Sequence, residues 1–292
     1  MIKPTLETLS GHGNSTFLVR IFEETEFASP YHFHPEYELT AILKGEGNRF
    51  VGNNMSAYQK GDLVLLGGNV PHCWKTGLRT EDINARSVVI QFDRGFLGTA
   101  FFEDHHAWQV VQLLDKSLQG IQFTGAKAQA IIDLMLTMAK TDNEFKRLIM
   151  LLEVLDKLTE ADDYKLLNEQ PFIYRSTVTE HNRLNTIQAF IIDNFRNRVS
   201  LKQVADLAVM TPNAFCKFYK KMTGKTLIEV VTQYRLNYAM QLLIASNKTA
   251  TEISFESGFA DVAYFHKLFR QYTKHSPQVY RKEYLRKLRN VV

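Results

Sequence analysis

Leu201-Lys202-Gln203-Val204-Ala205-Asp206-Leu207-Ala208-Val209-Met210-Thr211, continuing as Pro212-Asn213-Ala214-Phe215-Cys216-Lys217-Phe218-Tyr219-Lys220, reads as a short helix, a tight turn and a second helix. Ser200 and Gln203 have the spacing of a capping box that opens the first helix. Pro212, directly after Thr211, suits the first position of the second. The pattern recurs from Thr249 through Ile253 and Ser257-Gly258-Phe259-Ala260-Asp261 to Tyr264-Phe265-His266-Lys267-Leu268-Phe269-Arg270, with Thr249 and Glu252 as its capping box. Paired units of this kind set helices into the major groove of DNA.

In the two second helices, Phe215, Phe218, Tyr219 and Met222 repeat the spacing of Phe265, Leu268, Phe269 and Tyr272. These residues are read as core, which fixes the face that looks outward. That face carries Asn213, Cys216, Lys217 and Lys220 in the first unit, and Val262, Ala263, His266, Lys267 and Arg270 in the second. Asn and Lys hydrogen-bond purine edges, and small apolar groups touch thymine methyls. Lys220 and Arg270 suit phosphates, which set register and not sequence. The competing reading is a solvated helix face, with Cys216 and His266 as bystanders. Between the units, Leu227, Val231, Tyr234, Tyr238 and Leu242 predict one amphipathic helix over 226–245. At 1.5 Å per residue it spans roughly 30 Å, close to the ~34 Å turn of B-DNA.

Charge is divided along the chain. From Glu180 onward there are 18 Lys and Arg against 8 Asp and Glu, and before it 17 against 23. A basic module for a polyanion joined to a mildly acidic module is the reading. Cys73 and Cys216 are the only cysteines, so neither a disulfide framework nor a CxxC zinc site is indicated. No apolar run reaches the roughly 18 residues of a membrane span. Met1-Ile2-Lys3-Pro4-Thr5-Leu6-Glu7 lacks the apolar centre of a signal peptide. A cytoplasmic protein with no membrane partner is expected.

From Phe17 to Phe92 short strands alternate with turn signals. Glu38–Leu43, Arg49–Val51, Asp62–Leu66 and Ser87–Phe92 are separated by Gly45-Glu46-Gly47, Gly52-Asn53-Asn54 and Gly67-Gly68-Asn69. This spacing predicts a small β-sandwich or barrel. After Arg94 the period lengthens: Ala128, Ile131, Met135 and Met138, then Phe145, Leu148, Leu152 and Leu155, predict amphipathic helices. Their stripes suggest a packing or homodimerisation layer. The expected division is a barrel over 1–95, a helical dimerisation segment over 96–160, a linker over 161–180 and an all-α domain over 181–292.

Leu184 to Arg281 resembles the AraC/XylS family of bacterial transcription regulators. The resemblance rests on Lys217-Phe218-Tyr219-Lys220, Thr223-Gly224-Lys225-Thr226, Tyr234-Arg235-Leu236, Gly258-Phe259-x-Asp261-x-x-Tyr264-Phe265-x-Lys267-x-Phe269-Arg270, Pro277 and Tyr280-Arg281. Ser254, Tyr219 and Lys274 stand where the family has Ala, Phe and commonly Gly. The N-terminal region resembles the cupin-like sensor half of such regulators, through His32-x-His34-x3-Glu38-x6-Gly45, Gly61-Asp62 and Pro71-His72. Glu26 stands at the motif's upstream Gly, and the second motif lacks its Pro-x-Gly. The resemblance implies a two-domain protein: a cupin-like β-barrel with following helices, and an all-α domain with two helix-turn-helix units. It implies double-stranded DNA, a small effector such as a carbohydrate, a second copy of the chain and RNA polymerase as partners.

Three readings stay open for His32, His34, Glu38 and His72. They are effector-binding groups, ligands of a divalent metal, or internally hydrogen-bonded residues of the fold. Arg49, Trp74 and Tyr31 are the nearby groups suited to stacking on and hydrogen-bonding a sugar. The leading expectation is a regulator without catalytic activity or an obligate cofactor. The alternative is a metal-dependent cupin isomerase or dioxygenase with an attached DNA-binding domain, for which a complete double helix-turn-helix has no use.

Overall fold

The computed structural model describes residues 17–77, 85–172 and 178–289. The chain divides into two compact units, Met1–Thr177 and Val178–Val292. The stretch Met1–Glu7 and residues 173–177 of the expected linker lie outside the described residues.

Unit 1 begins with β1 (Phe17–Glu24), β2 (Tyr37–Lys44), β3 (Gly47–Val51), β4 (Asn54–Tyr58), β5 (Leu63–Leu66), β6 (His72–Thr76) and β7 (Ala85–Phe92). Then come α1 (Thr99–Glu103), α2 (Trp108–Lys116), β8 (Ile121–Phe123), α3 (Gly125–Ala139), α4 (Glu144–Thr159) and β9 (Tyr164–Leu166). The strands form a large sheet of order β1-β7-β2-β5-β8-β9 and a small one of order β4-β3-β6. The expected barrel is therefore two layered sheets. Closure needs ladder hydrogen bonds around the whole circumference, whereas among the described residues β1 and β9 end the large sheet and the small one ends at β4 and at a single His32–His72 bridge on β6.

Strand alternation sends side chains to two cores. Leu39, Ala41, Leu63, Leu65, Val88 and Ile90 pack on the outer side of the large sheet against Ile131, Met135, Leu151 and Leu155 of α3 and α4. Their neighbours Ile42, Val64 and Leu66 face inward onto Val51, Tyr58 and Trp74 of the small sheet. The α3 stripe is thus consumed within the chain. On α4 the buried side is Met150, Leu151, Val154, Leu155 and Leu158. Leu148 and Leu152 are half-buried, while Phe145 and Ile149 are 71% and 51% exposed. Phe145 and Ile149 lie on the side of α4 away from the buried stripe.

The segment expected to open the linker belongs to unit 1. Gln122 of β8 pairs with Lys165 of β9, and Asn168 and Phe172 hydrogen-bond back to Gln119 and Leu118. These backbone pairings are long-range and leave no periodic trace in sequence.

Unit 2 contains α5 (Val178–Asn194), α6 (Leu201–Leu207), α7 (Pro212–Thr223), α8 (Leu227–Ala245), α9 (Ala250–Glu256), α10 (Val262–Thr273) and α11 (Pro277–Arg289). The Ser200/Gln203 and Thr249/Glu252 capping boxes form, and Thr226/Glu229 adds a third at α8. Leu227, Val231, Tyr234, Tyr238 and Leu242 are buried along α8. Phe215, Phe218, Tyr219, Phe265 and Phe269 are core, as read. Tyr272 is not: it is 47% exposed. Tyr219, in place of the family's Phe, donates its hydroxyl to Gln188 Oε1 at 3.3 Å.

Candidate nucleic-acid interface and histidine cluster

The two helix-turn-helix units repeat each other in their hydrogen bonds. Thr223 Oγ1 donates to Tyr219 O at 2.8 Å and Lys225 O at 2.9 Å. Thr273 Oγ1 donates to Phe269 O at 2.8 Å and His275 O at 3.0 Å. Both residues staple the helix end to the following turn. Arg235 reaches Phe195 O through Nε and Asn197 O through Nη2, each at 2.7 Å. Arg281 does the same to Leu243 O and Lys248 O, at 2.8 and 2.6 Å. These arginines are structural ties that satisfy orphan carbonyls near the ends of α5 and α8. Their place in the motif did not disclose that role.

With Phe215, Tyr219, Phe265 and Phe269 buried, α7 and α10 turn their other faces outward. Asn213, Cys216, Lys217 and Lys220 are exposed, as are Ala263, Lys267 and Arg270, while Val262 and His266 are half-buried. His266 lies edge-on to Phe265, ring centroids 5.5 Å apart, so its ring is shared between core and surface. Among the described residues, none forms a hydrogen bond or ion pair with the Lys217, Lys220, Lys267 or Arg270 side chains. These cations remain available to an external polyanion. Tyr264, at 50% exposure, joins this face.

In unit 1 the sheets bring His32, His34, Glu38 and His72 together. His32 pairs with His72 across an isolated bridge, and Glu38 lies on the inward face of β2. Each imidazole is anchored through Nδ1 on a backbone carbonyl: His32 on Pro30 at 2.9 Å, His34 on Glu36 at 3.1 Å and His72 on Val70 at 2.8 Å. His34 Nε2 is 3.0 Å from Glu38 Oε2, and His72 Nε2 is 3.5 Å from Glu38 Oε1. Gln91 Nε2 donates to Glu38 Oε2 at 3.0 Å. One ligating atom from each histidine lies within 4.8 Å of the others.

Burial and neighbours divide the charge. Burial, and then His72, push His32 down to about 3. Burial also opposes the charge on His34, but its hydrogen bonds to Glu36 and Glu38 lift it to about 10. For Glu38 burial again works against ionisation, yet His72 and His34 hold its carboxyl well below the usual range. The result is a His34–Glu38 ion pair beside a neutral His32.

The donor set fits a divalent cation. The three imidazoles form the converging set, with Glu38 beside His34 and His72; imidazoles suit zinc or iron, and carbonyls on Nδ1 are the outer support that metal-binding histidines have. The buried His72 Nε2 makes no other hydrogen bond and faces Glu38 Oε1 at 3.5 Å. His34 would release a proton on binding.

A cavity of about 150 Å³ opens beside the cluster, lined in part by Phe22, Phe27, His32, Glu38, Trp74 and Gln91. A cavity of about that size holds a single small ring. Trp74 takes the place expected of it. Arg49 does not: it is fully buried, ion-paired with Asp62 and donating to Ser56 Oγ at 2.9 Å. A buried guanidinium needs a counter-charge, and Asp62 supplies it away from the cavity. Tyr31 likewise turns inward, its hydroxyl donating to Gly52 O at 2.9 Å. Gln91 was missed, although a lone amide in the apolar run Ser87–Phe92 signals an inward polar site.

Among the described residues no helix is long and apolar enough to cross a membrane. Residues 204–283 match the helix-turn-helix domain family. The chain is 21% identical over 260 residues to the uncharacterized HTH-type transcriptional regulator YdeC of Bacillus subtilis, covering 87% of this chain and 86% of YdeC. It is 32% identical over 98 residues to the bifunctional transcriptional activator/DNA repair enzyme AdaA of the same organism, covering 34% of this chain and 46% of AdaA. The crystal structure of ToxT from Vibrio cholerae superposes with a TM-score of 0.36 at 14% identity, covering 91% of this chain and 98% of ToxT. Residues 204–283 of the C-terminal unit are thus similar to a helix-turn-helix domain, and the relatives of the chain are named as transcriptional regulators.

Proposed function

We propose that this protein is a sequence-specific transcription regulator that binds double-stranded DNA through α7 and α10 and has no catalytic activity of its own. The observation that carries this is the repeated unit, with the same staples and ties beneath two outward faces bearing unpaired Lys217, Lys220, Lys267 and Arg270. The regulator names of YdeC and AdaA support the same reading. AdaA joins regulation to an enzyme, but the match to it covers only 34% of this chain and 46% of AdaA. A regulator of this kind works in the cytoplasm, where its DNA and RNA polymerase are.

Unit 1 is a cupin-like sensor whose effector enters the cavity beside His32, His34, Glu38, His72 and Trp74. Trp74, Phe22 and Phe27 offer aromatic faces, and the cavity volume suits one small ring, such as a monosaccharide. A divalent ion held by the four cluster residues would supply a polarising charge for an oxygen of that ligand. Two chains associate through the exposed start of α4, around Phe145 and Ile149. That pairs DNA-binding units and raises their effective concentration at repeated sites.

The test is selection of duplexes from a random pool by the full chain, followed by a salt titration. A defined motif should emerge, and affinity should fall steeply with salt as counterions return to the phosphates. Recovery of no motif at any salt concentration would refute the reading.

A further inference from the structure

The turn joining β3 to β4 is gripped from two sides. On one side stands the histidine cluster. His72 pairs with Val51 in the β3–β6 register, Gly52 N donates to Pro71 O at 2.8 Å, and Tyr31, next to His32, donates to Gly52 O. On the other side stands the chain leaving unit 1. Asn168 Nδ2 donates to Val51 O at 3.1 Å, and Asn168 Oδ1 accepts from Asn53 N at 3.2 Å. Phe172 sits against Gly52, so closely that a Cβ built there would stand 2.1 Å from its Cε2. Gly52 has φ +56°, which favours glycine here for its backbone as well as for its missing side chain.

Val51 therefore meets both His72 and Asn168, Gly52 meets Pro71 and Tyr31 beside the cluster and Phe172 of the exit segment, and Asn53 extends the turn onto Asn168. That segment is itself tied down by three amides: Leu167 N to Gly120 O at 2.9 Å, Asn168 N to Gln119 O at 3.0 Å and Phe172 N to Leu118 O at 2.9 Å. Phe172 stands six residues before Val178, where α5 of unit 2 begins.

We propose that residues 167–172 are a latch, set by occupancy of the histidine cluster through the Val51–Gly52–Asn53 turn and passing that state to the DNA-binding unit. The proposal rests on the reading of the cluster as a ligand site. A ligand that fixes His32 and His72 fixes the strand ends flanking Gly52. The seat of Phe172 and the two contacts of Asn168 then tighten. A shift of this kind needs only that the ligand bind the latched and unlatched states with different affinity. Neither Asn168 nor Phe172 lines the cavity.

The test uses the full chain, zinc(II) alone as the probe, and a DNA site selected from a random pool. In the wild type, one equivalent of zinc should slow hydrogen exchange at the Leu167, Asn168 and Phe172 amides by about tenfold, within the usual range of coupling between sites, and should change DNA affinity. In Phe172→Ala and Asn168→Ala, zinc should bind with unchanged stoichiometry while the change in DNA affinity disappears. Exchange in β2 and β7 reports that the variants are folded. If zinc changes DNA affinity equally in wild type and both variants, the latch is refuted and the ligand site stands. If zinc does not bind, His72→Ala becomes the perturbation. Exchange at the three amides rising about tenfold then supports the relay, and unchanged exchange overturns it together with the ligand site.

Discussion

Val209 and Gly258 occupy the same place in the two helix-turn-helix units, each in the left-handed region just past its first helix, with φ of 54° and 89°. Val209 N donates to Asp206 O and Gly258 N to Phe255 O, and the next amides, Met210 N and Phe259 N, reach Ala205 O and Ser254 O. The motif is a helix C-terminal cap that calls for glycine. Gly258 needs it doubly, because a Cβ there would stand 2.5 Å from Arg196 O. Val209 is 85% exposed, so its side chain returns no packing for the strained backbone. Val209→Gly should stabilise unit 2 by roughly 1 kcal/mol, partly offset by the greater freedom of glycine in the unfolded chain. Gly258→Ala should destabilise it by more than about 1 kcal/mol. Denaturant melts of the full chain followed through unit 2 check both. A destabilised Val209→Gly would show that the turn is held by something other than backbone geometry.

Arg235 and Arg281 tie helix ends, so their loss should register as instability before it registers at DNA. Arg281→Ala removes two charge-assisted hydrogen bonds and should cost about 2 kcal/mol. At low temperature, where the variant is still folded, its preference among DNA sequences should match the wild type. A changed base preference would move Arg281 from scaffold to interface.

Phe145 and Ile149 leave an apolar surface at the start of α4 that unit 1 does not cover. Ile149→Asp should therefore shift the full chain from dimer to monomer in light scattering at micromolar concentration, without lowering its melting temperature. A wild type that is monomeric under the same conditions would contradict the proposed association.

His34 and Glu38 form a buried ion pair at 3.0 Å, and removing one partner leaves the other unmatched. Glu38→Ala should destabilise unit 1 by about 3 kcal/mol and abolish zinc uptake, while DNA affinity without ligand stays at the wild-type level. Glu38→Gln, which keeps the shape, should lose zinc with a smaller stability cost. Zinc bound with unchanged stoichiometry by both variants would take Glu38 out of the ligand set.

What the sequence discloses here is what short-range chemistry writes into it. The capping boxes at Ser200 and Thr249, Pro212 at the start of α7, and the aromatic spacing of α7 and α10 each act within a few residues of chain. They placed both helices and their outward faces. β8 and β9 escaped notice because each has three residues and pairs through backbone, Ile121 with Leu166. That pairing also drew in a stretch read as linker. Phe145 was assigned to a stripe whose other members are covered, since periodicity marks an apolar face but not the neighbour that buries it. Arg49 stands opposite Trp74 on the adjacent strand, yet its charge is claimed by Asp62. The histidine cluster was legible as a set of residue types. Its Nδ1 anchors, Gln91 and the cavity depend on how the two sheets are layered, which no local pattern records.

Footprinting of the selected DNA site with wild type, Lys217→Ala, Lys267→Ala and Lys220→Ala tests the central claim most directly. Two recognition helices joined by the roughly 30 Å of α8 should protect two patches about one helical turn apart. Lys217→Ala should relax base preference in one patch and Lys267→Ala in the other, each by roughly 1–3 kcal/mol. Lys220→Ala should weaken all sequences alike and reduce the salt slope by about one contact. If Lys217→Ala and Lys267→Ala alter the same base pairs, or neither alters any, the two helices do not read separate stretches of groove and the account is contradicted.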